Sequence, residues 1–97
     1  MKVIVREPAP WCFKPGMWHF LEDSEGSYLY VNCEQSFVSF PIMVKLTEEE
    51  YAEYHALGWT FLQYFAEKIN YWSAKYKTRR VNATLHAEAE AAISISA

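Results

Sequence analysis

Apolar and polar residues alternate most regularly in "SFVSFPIMVKL", where Val38, Phe40, Ile42, Val44 and Leu46 take every second position. A period of two places them on one face of a half-buried strand. Pro41 interrupts that run and has no N–H to donate, so the strand is an edge or is bulged there. Upstream, "MWHFLED" and "SYLYVNC" are β-prone runs flanking "SEGS", a pattern that reads as a hairpin. "KVIVRE", residues 2–7, is a shorter run in which Val3 and Val5 alternate with charged or exposed positions. Between the first two runs, "PAPWCFKPG" predicts an irregular connection anchored by Trp11 and Phe13. Residues 1–46 therefore predict an antiparallel meander of three to four strands.

The period then changes to that of a helix. In "LTEEE" the Thr47 hydroxyl is placed to accept the Glu50 N–H, and the Glu50 carboxylate to accept the Thr47 N–H, which is a capping box. Glu48, Glu49 and Glu50 lie at the positive pole of the helix dipole, and Lys75, Lys77, Arg79 and Arg80 lie near the negative one. One long helix over about residues 47–76 is predicted, packed on one face of the sheet. At 100° per residue, Tyr51, Tyr54, Gly58, Phe61, Leu62, Phe65, Ile69, Trp72 and Tyr76 form its sheet-facing stripe. Residues 81–97 predict a weakly structured end. "ATLHAEAEAA" reads as a short helix with Leu85, Ala89 and Ile93 on one side, and "ISISA" as a frayed tail or a small added strand.

Gly58, within "YHALGWTFLQYF", costs about 1 kcal/mol against alanine inside a helix. Its place on the stripe predicts close packing of the helix backbone against the sheet, with a hinge as the alternative. A second stripe carries the functional expectation. Leu57, Tyr64 and Tyr71 recur at seven-residue spacing on one flank, and Trp59 sits on the other. A single helix on a sheet leaves these side chains in water unless another segment or a partner covers them. Tyrosine and tryptophan are enriched at interface hot spots. Leu57, Trp59, Tyr64 and Tyr71 are therefore the predicted binding surface.

Composition sharpens this picture. The 97 residues are 52% apolar, which argues against wholesale disorder and for one α+β domain. Four Trp, seven Tyr and six Phe are more ring than a core of this size hides. The net charge of −3 argues against nucleic acid as a partner of the whole domain. No apolar run reaches the roughly 18 residues that would suggest a membrane span. Two cysteines, Cys12 and Cys33, are too few for a disulfide framework, and "MKVIVREPAP" is not a signal peptide. Both point to a cytoplasmic protein with free thiols.

Chemistry is sparse. Cys12, His19, Cys33 and His55 lie seven, fourteen and twenty-two residues apart, unlike the close pairs of a zinc site, and no metal or cofactor is expected. His19, Cys33 and His55 define an alternative reading, a pocket between sheet and helix serving a small enzyme or ligand-binding domain. His86 and Glu88 form H-x-E without the P-C-x-x-C of a zinc deaminase, and no phosphate-binding glycine loop occurs. "KYKTRR", residues 75–80, interleaves cations with nearby rings but reads first as a solvated helix end. No catalytic residue is predicted.

The stretch "YLYVNCEQSFVSFPIMVKLTEEEYAEY", residues 28–54, resembles part of small uncharacterised bacterial proteins, some of them similar to immunity proteins of polymorphic toxin systems. The resemblance implies a cytoplasmic inhibitor that blocks a toxin by binding it. It carries over no binding residues. The expected function is thus binding to another protein, with self-association as a structural homo-oligomer and the small pocket as alternatives.

Overall fold

The computed structural model describes residues 1–6, 17–35 and 38–96; Trp11, Cys12 and Phe13 lie outside them. Four strands run β1 (Lys2–Arg6), β2 (Trp18–Asp23), β3 (Gly26–Gln35) and β4 (Val38–Lys45), each antiparallel to the next in one sheet of order β1-β2-β3-β4. The helices are α1 (Glu48–Leu57), α2 (Trp59–Tyr71), α3 (Ser73–Tyr76) and α4 (Ala83–Ser96), with a 3-10 turn over Lys77–Arg79. The fold class is α+β, as the periodicities predict.

The β2–β3 hairpin closes through Asp23, whose Oδ1 accepts the N–H groups of Glu25 at 2.8 Å and Gly26 at 3.1 Å. In β1, Val3 pairs with Leu21 and Val5 with Phe20, so the register slips by one between them. That bulge sends Val3 to one face of the sheet and Val5 to the other. Simple alternation would have put both on one face.

The sheet is buried on both sides. On one, Phe61, Leu62, Phe65, Ala66 and Ile69 of α2 pack on Trp18, Phe20, Leu29, Val31, Cys33, Ile42 and Val44. These α2 positions recur at three and four residues, the stripe the sequence predicts. The Trp18 indole N–H donates to Gln63 Oε1 at 2.9 Å, which satisfies the one polar atom of a buried ring.

On the other face lies α4, where the sequence predicts a weakly structured tail. Ala89 is fully buried, and Leu85, Ala92 and Ile93 are partly buried, against Leu21, Tyr28, Tyr30 and Met43. Asn82 caps this helix: its Oδ1 accepts the Leu85 N–H at 2.9 Å. The Tyr30 hydroxyl donates to Glu90 Oε2 at 2.8 Å and gives the helix a polar anchor. A sheet apolar on both faces needs two covers, and a 14-residue helix supplies the second.

The long helix is broken. Gly58 ends α1 with φ 65° and ψ −144°, and its N–H bonds back to Tyr54 O at 2.7 Å. A Cβ built there meets nothing within 4 Å, so the glycine serves the bend and not close packing on the sheet. A second break falls at Trp72, with φ −105° and ψ 40°, which turns that indole out to solvent.

The capping box forms as predicted, with Thr47 N–H to Glu50 Oε1 at 2.8 Å and Glu50 N–H to Thr47 Oγ1 at 3.2 Å. Arg79 closes the structure onto it. Its guanidinium donates to Glu50 Oε2 at 3.0 Å and Oε1 at 2.8 Å, and to Lys45 O at 3.0 Å. Arg79 is thus a tie between distant segments and not part of a solvated helix end. Burial alone raises the Glu50 carboxyl, but Arg79 and the Thr47 N–H outweigh it and hold the group below its ordinary value. The unfolded state then binds the extra proton, so stability increases with pH in this range. This contribution is complete above the unfolded value, about pH 4.3, and is lost as pH falls through the lower folded value. Urea unfolding of wild type and Glu50→Gln at a series of pH values is expected to show a flatter acid limb for the variant. Parallel limbs would show that Glu50 does not couple to acid unfolding.

Candidate functional site

The bend at Gly58 creates the most unusual surface of the molecule. Helix α1 buries none of its residues. It touches the core through half-buried Tyr54, whose ring centroid lies 4.5 Å from that of Phe20. Its outer side carries Tyr51 and Leu57, and Trp59 opens α2 just past the bend.

All four predicted binding residues are exposed: Leu57 by 58%, Trp59 by 46%, Tyr64 by 59% and Tyr71 by 75%. They do not form one compact patch. Leu57 and Trp59 flank the bend. Tyr64 lines a notch of about 420 Å³ between α1 and α2, with Glu49, Glu53, Phe61, Phe65 and Lys68. Tyr71 lies seven residues further along α2, roughly 10 Å along the axis, where its ring meets Trp72 edge-on at 4.8 Å. Tyr64 and Tyr71 share one side of α2, and Trp59 stands about 140° round that helix from Tyr64.

Tyr51 and Trp72 also belong to this exposed surface, although their helical phase puts both on the sheet-facing stripe. The signal that finds them is the pair of helix breaks, and only Gly58 announces one in sequence. The surroundings are acidic. Glu48, Glu49 and Glu53 are exposed on α1, and Glu22, Asp23 and Glu25 of the hairpin share a hollow of about 510 Å³ with Glu48 and Tyr51.

The alternative pocket does not assemble. Alternation along β2 and β3 sends Cys33 to the α2 face and His19 to the α4 face, where its ring meets Tyr30 edge-on at 6.3 Å. His55 is exposed on α1 against Tyr51, 4.5 Å away and perpendicular. The Cys33 thiol is fully buried and its Sγ lies 3.8 Å from Val31 O. Burial pushes it up to about 11, only partly countered by Lys77, so it is protonated at neutral pH and a poor nucleophile. Among the described residues, no three metal-binding side chains converge, and no helix is long and apolar enough to cross a membrane. Cys12, the remaining member of the candidate metal set, lies outside the described residues.

The molecule these features define is an α+β domain with an acidic, aromatic helical face. In comparisons with known proteins, no family model, no curated protein and no solved structure matches the chain.

Proposed function

We propose that this chain is a small cytoplasmic protein-binding domain, acting as an immunity-type inhibitor that neutralises a toxin by covering it. The observation that carries this reading is α1, a helix with no fully buried residue that is held by a capping box, by Arg79 and by the Tyr54–Phe20 contact while Tyr51 and Leu57 face outward. An isolated helix of this length is marginal in water; the ties that hold α1 preorganise Leu57, and the buried residues of α2 fix Trp59 and Tyr64. Preorganised rings are effective anchors because little freedom remains to be lost on binding. The exposed carboxylates around them favour a partner with a basic surface and speed its encounter.

The test is recovery of a partner from the native host with the tagged chain, followed by titration of the purified pair. Trp59→Ala combined with Tyr64→Ala is expected to weaken binding about 30-fold or more, the scale of a hot spot, with an unchanged melting temperature. Wild-type affinity in that double variant sinks the assignment of these residues. A mass that rises with concentration in light scattering, with no foreign partner recovered, points instead to self-association through the same rings.

A further inference from the structure

A different surface lies along the open edge of β4. In an antiparallel ladder, the N–H and C=O of one residue point to the same side, and the side alternates along the strand. Asn32 donates its N–H to Met17 O at 2.7 Å and Glu34 its N–H to Asn70 Oδ1 at 2.9 Å, so both turn away from β4. Their cross-strand partners, Pro41 and Ser39, therefore turn away from β3. Met43 O continues the phase and accepts the Val81 N–H at 3.0 Å. Val81 thus occupies the edge at Met43, whereas among the described residues nothing pairs with the outward backbone of Ser39 or Pro41.

The Ser39–Pro41 stretch borders a groove of about 720 Å³ whose lining includes Phe40, Pro41, Lys77, Arg80, His86 and Glu90. Lys77 Nζ sits over the Phe40 ring at 4.5 Å, and Arg80 Nε donates to Lys77 O at 3.2 Å. Neither cation has a carboxylate partner among the described residues. Glu90 is already engaged by the Tyr30 hydroxyl at 2.8 Å and lies 3.5 Å from His86 Nε2. Among the described residues, the groove therefore combines a strand edge without a backbone partner at Ser39 and Pro41 with two cations that no carboxylate neutralises.

We propose that this groove is a second binding site, one that takes an extended acidic peptide segment of another protein as an added strand on β4. An extended peptide backbone is the ligand that matches an open edge in hydrogen-bond register. Lys77 and Arg80 then select carboxylate side chains along it. Nucleic acid would meet the cations and leave the edge unpaired. Pro41 tunes the site: it offers its carbonyl outward but no N–H, which weakens pairing and guards the edge against indiscriminate association.

The test is fluorescence anisotropy of the full chain with a labelled peptide of about ten residues alternating valine and glutamate. A valine–lysine peptide and an oligo-uridine of similar length serve as comparisons, and inorganic phosphate as competitor. The valine–glutamate peptide is expected to bind best. Lys77→Glu with Arg80→Glu is expected to weaken it about fivefold or more. Pro41→Val, which restores one outward donor, is expected to tighten it by about 2- to 10-fold, the range of one hydrogen bond. N-methylation of alternate peptide amides is expected to abolish binding. The proposal is overturned if oligo-uridine binds as tightly, if millimolar phosphate displaces the peptide completely, if Pro41→Val leaves affinity unchanged, or if the peptide binds neither protein. None of these readouts involves Trp59 or Tyr64, so the two surfaces stand or fall separately.

Discussion

Ala89→Arg is expected to lower stability by about 3 kcal/mol or more. Ala89 has no exposed surface and lies against Leu21, Tyr28, Tyr30 and Met43. The arginine side chain has no room there, and its charge is driven into an apolar cluster where Glu90 and Asp23 are already engaged by the Tyr30 and Tyr28 hydroxyls. Overpacking of this kind costs about 1–3 kcal/mol, and an uncompensated buried charge adds several more. The chain's alternative is to lift α4, which returns one whole apolar face of the sheet to water. Urea unfolding measures the loss, and dye binding reports the uncovered face. Glu88→Arg, on the exposed side of the same helix, is the control and is expected to stay within about 0.5 kcal/mol of wild type. Equal effects for the two substitutions would mean that α4 does not dock.

Gly58→Ala is expected to cost about 1–3 kcal/mol, although a Cβ there meets nothing. The cost lies in the backbone, since φ 65° with ψ −144° is a conformation that residues with a Cβ rarely adopt. Two effects compete. Alanine favours a straight helix through this position by about 1 kcal/mol. Straightening, however, pulls α1 from the Tyr54–Phe20 contact and from the Glu50–Arg79 pair. The second effect is larger, so the melting temperature is expected to fall by roughly 4–8 °C per kcal/mol lost. A rise instead would show that α1 and α2 prefer to be one helix. Because the bend sets the relative direction of exposed Leu57 and Trp59, the same substitution is also expected to weaken partner binding.

These two positions show where sequence reasoning reached and where it stopped. Ala89 was legible as one of three residues on a common helical side, with Leu85 and Ile93. Nothing local revealed that this side had a face of the sheet to cover, because Leu21, Tyr28, Tyr30 and Met43 are distant in sequence. Gly58 was legible as an anomaly, but its helical phase pointed to packing when its backbone makes a bend. Phase placed Leu57, Trp59, Tyr64 and Tyr71 off the sheet-facing stripe, but only the structure showed that no other segment covers them. The exposure of Tyr51 and Trp72 did not, because a break in the helix resets the phase on which the reading rests.

What the sequence determined by itself are the features set by near neighbours: the hairpin turn at "SEGS", the inward side of Phe40, Ile42 and Val44 in β4 (though not exposed Val38 or buried Met43), the Thr47–Glu50 capping box, and the buried run of Phe61, Leu62, Phe65 and Ile69. Each rests on a period or a hydrogen bond spanning a few residues. Only the tertiary structure decided the bulge that parts Val3 from Val5, the seat of α4, the Arg79–Glu50 tie, and the separation of His19 from Cys33 across the sheet. In each of these, segments remote along the chain compete for one surface or share one hydrogen bond, and that outcome depends on the assembled sheet, which no local pattern encodes.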